Sequence, residues 1–78
     1  MATLRLFAAA REAAGTDRAT IGGDTVGEVL STATARFGEH FAAVLASSRV
    51  WCNGEPADEA DPVVDADEVA VLPPVSGG

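Results

Sequence analysis

Few residues in this chain could do covalent chemistry, and their scarcity narrows the reading. There is one cysteine (Cys52), one histidine (His40) and no lysine. One thiol excludes an internal disulfide, and one Cys with one His makes no metal-ligand cluster. Cys52 alternates with Trp51 and shares a face with Val50, which predicts a small buried hydrophobe rather than a nucleophile. His40 has no matched carboxylate or second ligand nearby in sequence and reads as a surface residue. The acidic run from Asp58 to Asp67 lacks the glycine-containing spacing of a calcium loop and reads as a solvated face. What remains is the end of the chain, Pro73-Pro74-Val75-Ser76-Gly77-Gly78. Glycines lack a Cβ, so a Gly-Gly end is narrow enough to thread into another protein. Extended at roughly 3.3 to 3.6 Å per residue, these residues reach about 20 Å. The Gly78 carboxylate is then the candidate reactive group. Ionised at neutral pH, it resists nucleophilic attack until given a better leaving group.

The elements that must present this end are legible from patterning. Thr3 to Phe7 reads as a strand, with Leu4 and Leu6 on one face and Arg5 and Phe7 on the other. Ala8 to Ala14 predicts a short helical turn stopped by Gly15, and Arg18 to Ile21 a second strand closed by Gly22-Gly23. Thr25 and Glu28 fit a capping box, after which Val26, Val29, Leu30, Ala33 and Phe37 keep helical spacing up to a left-handed stop at Gly38. Phe41, Val44 and Leu45 suggest a second helix. Arg49 to Asn53 reads as a strand, Asn53-Gly54 as a tight hairpin turn, and Glu55 to Ala57 as a brief return strand. Glu68 to Leu72 is the final strand, ended by prolines that cannot donate ladder hydrogen bonds.

This order predicts one α+β domain, a mixed sheet of about five strands covered by one main helix, spanning residues 1–72. A protruding, flexible tail follows over residues 73–78. At 78 residues with a formal charge of −7, the chain is too small for a second core or a roomy substrate pocket. Its acidity argues against nucleic acid or anionic membrane partners and for proteins with basic docking faces. No leader or membrane-spanning stretch is apparent, so a cytoplasmic location is expected. If a helix covers Leu4, Leu6, Val69 and Val71, then Phe7, Ala70, Leu72 and Trp51 form an apolar patch beside the tail, a candidate docking surface.

Three stretches carry a family resemblance: Leu6-Phe7-Ala8-Ala9-Ala10-Arg11-Glu12 with Gly15-Thr16, Asp67-Glu68-Val69-Ala70, and the Pro-Pro-Val-Ser-Gly-Gly end. Through them the chain resembles the ubiquitin-like β-grasp carriers, and among these MoaD, the small subunit of molybdopterin synthase. One departure is Asp65-Ala66-Asp67, where this family usually carries a glycine; alanine tolerates positive φ poorly, so a different turn is expected.

The resemblance implies that an ATP-dependent adenylating enzyme (MoeB-like) joins AMP to Gly78 and that a sulfur donor protein converts the adenylate to a thiocarboxylate. The tail residues Pro74, Val75, Ser76 and Gly77 then enter a large synthase subunit (MoaE-like), where sulfur passes to cyclic pyranopterin monophosphate. It also implies a two-plus-two assembly, with Phe7 and Leu72 helping to form the partner contact, in agreement with the patch that Ala70 and Trp51 complete. Arg11-Glu12 reads either as a solvated pair or as a further contact to the partner. The chain would bind neither metal nor cofactor itself, ATP being used by the partner, and would be no enzyme alone. The alternatives are the same carrier chemistry feeding thiamine-thiazole or cysteine biosynthesis, a ubiquitin-like modifier of other proteins, and a plain adaptor domain.

Overall fold

The computed structural model describes residues 1–74. Its elements run β1 (Ala2–Leu6), α1 (Ala8–Ala14), β2 (Arg18–Ile21), α2 (Val26–Phe37), α3 (Glu39–Ala46), β3 (Arg49–Cys52), β4 (Glu55–Pro56) and β5 (Glu68–Leu72). The five strands form one sheet in the order β2-β1-β5-β3-β4. β5 lies at its centre, parallel to β1 and antiparallel to β3. This is the mixed sheet of the ubiquitin-like β-grasp fold.

One face of the sheet is the core. Leu4, Leu6, Ile21, Val69 and Val71 are buried against Val26, Val29, Leu30 and Ala33 of α2 and Phe41 of α3. The main helix therefore does not cover the sheet alone. α3 lays Phe41 into the core, its ring centroid 5.3 Å from that of Phe37, and α1 contributes the buried Ala10. Removing these apolar surfaces from water, at about 25 cal/mol per Å², is the main force holding the layers together.

Local signals explain the junctions. Gly15 ends α1 with φ 77°, and its N–H donates to the Arg11 carbonyl. The Thr25 hydroxyl accepts from the Glu28 N–H at 3.2 Å, as a capping box requires. The reciprocal bond falls one residue earlier than expected, because the Glu28 carboxylate accepts from the Asp24 N–H. Gly38 has φ 97° and ψ −173°, which is not the left-handed helical stop. Its N–H closes α2 on the Thr34 carbonyl while its own carbonyl accepts from Ala42, so one residue ends α2 and opens α3. β1 stops at Leu6 rather than Phe7, β3 at Cys52 rather than Asn53, and β4 at Pro56 rather than Ala57.

The acidic segment over 57–67 is strapped to the start of α2. The carbonyls of Asp61 and Glu59 accept from the otherwise orphaned N–H groups of Val26 and Gly27, both at 2.9 Å. The turn before β5 closes without positive φ at Ala66. Instead the Asp67 N–H donates to the Val64 carbonyl, and the Asp67 carboxylate accepts from the Val64 N–H. A side chain thus does what glycine's backbone freedom would otherwise do.

Candidate functional site

The candidate site is the open face of the sheet together with the carboxyl end of β5. Strand alternation fixes which side chains share that face. Register then places them in cross-strand rows. Arg5 of β1 stands opposite Arg18 of β2 on one side and Ala70 of β5 on the other. Ala70 stands opposite Trp51 of β3, and Trp51 opposite Pro56 of β4. One step toward the end of β5, Leu72 pairs with Arg49.

Phe7 lies just past β1 with extended angles (φ −126°, ψ 154°), so it continues the strand's alternation onto the open face. The Arg5 guanidinium sits 5.5 Å from its ring centroid, within cation–π range. Phe7 is exposed, whereas Ala70, Leu72 and Trp51 are half-buried. These four residues are therefore brought onto one surface. Arg11 is not on it. It is exposed on α1, one turn beyond Phe7, with its N–H on the Phe7 carbonyl. Pro74 is exposed directly after β5; Val75, Ser76, Gly77 and Gly78 lie outside the described residues.

Sequence reasoning missed the charge of this surface. Its strand residues carry Arg5, Arg18 and Arg49 against the single acid Glu68, a local excess of two positive charges on a chain of −7. The net acidity from which partners with basic docking faces were expected does not extend to this surface. Arg5 lies 3.6 Å from the Glu68 carboxylate, while its Nε is buried without a hydrogen-bond partner among the described residues. No composition count finds this, because it depends on register between strands distant in sequence.

At the other end of β5 the Asn53 side chain bridges two elements. Its amide donates to the Asp67 carboxylate at 2.9 Å, and its oxygen accepts from the Glu68 N–H at 3.0 Å. Hydrogen bonds from the Val64 N–H and from Asn53 hold the Asp67 carboxyl below the usual aspartate range. Burial, with the negative charges of Asp67 and Asp61, pushes the Cys52 thiol up, disfavouring thiolate. Cys52 is half-buried and packs against the edge of the core, less enclosed than the buried small hydrophobe expected of it. Among the described residues no three His, Cys, Asp or Glu side chains converge to hold a metal ion, and no helix is long and apolar enough to cross a membrane. A cavity of about 450 Å³ opens on the helical side, lined by Leu30, Thr34, Ala42, Leu45, Val50 and Glu59. It lies on the opposite side of the sheet from the arginine rows.

The ThiS family model matches residues 4–78, nearly the whole chain. This chain belongs to the ThiS family. It is a ubiquitin-like sulfur carrier of the ThiS/MoaD kind, as its resemblance implied. Among solved structures it is similar to SAMP1 from Haloferax volcanii, at 31% identity over 97% of each chain with a TM-score of 0.77. It is also similar to a putative molybdopterin converting factor, subunit 1, from Pyrococcus furiosus, at 26% identity over 95% of this chain and 97% of that one, with a TM-score of 0.83. The Amycolatopsis orientalis BexX/CysO complex shares the fold, at 22% identity over 100% of both chains with a TM-score of 0.84. No curated protein matches the chain.

Proposed function

We propose that this carrier works through a thiocarboxylate at Gly78 and serves as the small, sulfur-donating subunit of molybdopterin synthase. The observation that carries the reading is the placement of β5. It is held on both edges in the middle of the sheet, and Pro73-Pro74 turns the chain out of the ladder directly after it. On this reading residues 1–72 are a rigid body and residues 73–78 a probe whose reach exceeds the domain surface. The motif Phe7-Ala8-x-x-Arg11-Glu12 and the Pro-Pro-Val-Ser-Gly-Gly end support the molybdopterin branch, as does likeness to the Pyrococcus furiosus protein.

The chemistry needs nothing from this chain but an unhindered carboxylate. A carboxylate oxygen of Gly78 attacks the α-phosphorus of ATP on the adenylating enzyme, and pyrophosphate leaves. Hydrosulfide released by a sulfur donor then attacks the acyl carbon and AMP leaves, giving a thiocarboxylate whose sulfur is an exposed nucleophile. The large subunit supplies the groups that pass this sulfur to the pterin. The carrier binds no cofactor itself and has no turnover alone. It works in the cytoplasm, where its partners find ATP.

Intact mass after incubation with ATP, an adenylating enzyme and a sulfide source tests the first step. The expected gain is one oxygen-for-sulfur exchange, abolished by deleting Gly78; an unchanged mass overturns the reading. Pterin product on adding a molybdopterin-synthase large subunit tests the second. Absence of product with thiocarboxylate present and a competent cognate large subunit overturns the molybdopterin branch and redirects the reading to carriers for thiazole or cysteine synthesis.

Likeness to SAMP1 favours a second reading, modification of other proteins. The chain has no lysine with which to build chains on itself, but attachment to targets remains open to it. A ladder of ATP-dependent conjugates lost on deleting Gly78 would establish that role.

A further inference from the structure

We infer that the open face of the sheet is built to dock on an acidic protein surface. Partner carboxylates would seat on Arg18, Arg5 and Arg49 while partner apolar atoms cover Ala70, Trp51, Leu72 and Phe7. This rests on the carrier reading above and adds the chemistry of the partner. Three of the chain's five arginines project from strands on this one face, whereas of its twelve acids only Glu68 does so. The arrangement is not neutralised from within. Arg18 and Arg49 are exposed, with no ion pair among the described residues, and the Arg5–Glu68 contact is long at 3.6 Å.

The rows interleave charge with apolar surface, running Arg18, Arg5, Ala70, Trp51, with Leu72 and Arg49 alongside. An apolar centre flanked by guanidinium groups matches a partner patch rimmed by aspartate and glutamate, since arginine binds carboxylates through two parallel hydrogen bonds. A polyanion such as nucleic acid fits poorly, because the rest of the chain is strongly negative and repels an extended phosphate backbone. A carboxylate cluster meets only the positive strip. Opposite charge at the interface and like charge elsewhere also orient the encounter, which raises the association rate.

The test uses the full chain with its genome's molybdopterin-synthase large subunit and, separately, its adenylating enzyme. Calorimetry and stopped-flow mixing are run at low and high sodium chloride. For at least one partner, affinity should fall about tenfold or more between these salts, mostly through the association rate. Arg49→Ala and Arg18→Ala should each weaken binding several-fold, and the double Arg→Glu variant about a hundredfold, with the melting temperature unchanged. Ala43→Glu, on α3, changes net charge by the same single unit as Arg49→Ala and serves as the control. If it weakens binding equally, net charge rather than this face is responsible and the inference fails. Salt-independent binding unaffected by the arginine variants also overturns it while leaving the carrier reading intact. Arginine-dependent binding to the adenylating enzyme alone supports the inference and sinks the molybdopterin branch. Binding to neither partner overturns both.

Discussion

Val69 and Val71 of β5 are fully buried beneath the helices, while Ala70 and Leu72, their immediate neighbours in the chain, remain half-exposed on the other side. The same strand serves two masters. Its inner residues are specified by packing, where a lost methylene leaves a void the surroundings fill only partly. On its outer side Ala70 and Leu72 pack only partly within the chain, yet they are apolar and stand beside Arg5 and Arg49. The difference teaches where to look for each kind of defect: inner substitutions should register as stability, outer ones as affinity.

The largest effect expected is on the inner side. Phe41→Ala should destabilise the fold by about 3–5 kcal/mol, read from denaturant unfolding, because its buried ring fills the space between α3 and the sheet. That is a large part of the total stability of a domain this size. Phe7→Ala on the outer side should cost less than about 1 kcal/mol of stability but weaken partner binding about tenfold or more, seen by calorimetry. A Phe7 variant that unfolds readily yet binds normally would erase the distinction between the two faces.

Two smaller effects sharpen it, since they fall on neither face. Thr25→Ala removes the cap on the Glu28 N–H and should cost about 1 kcal/mol, with no change in affinity. Asp67 is held below the usual carboxylate range by hydrogen bonds, so it binds its proton less readily in the folded chain than in the unfolded one. Its stabilising share is present above the unfolded value near 3.9 and is lost as pH falls through the lower folded value. Asp67→Asn should therefore flatten the acid limb of the stability profile, measured by chemical denaturation between about pH 5 and pH 2.

Much of the fold was legible in the sequence because its signals are local. Arg18–Ile21, Glu68–Leu72 and Ala8–Ala14 have the bounds that alternation, helix propensity and Gly15 mark. The face shared by Phe7, Ala70, Leu72 and Trp51 was also readable, since period-two alternation survives small errors in strand ends. Gly38 was misjudged in detail because its conformation answers to α3 as well as α2. The Asn53–Asp67 bridge and the rows of arginine were not legible. Both depend on which strand lies beside which, and no window along the chain contains that. The tail residues Val75 to Gly78 were read from residue type and resemblance alone.

The central position of β5 has a mechanical consequence. Four residue pairs tie it to β1 and four to β3, all running along its length. Traction on its carboxyl end loads both ladders in shear, so the bonds share the strain instead of opening one by one like a zipper. A partner gripping the last residues could tug on them hard before the sheet gave way, and the handle would hold.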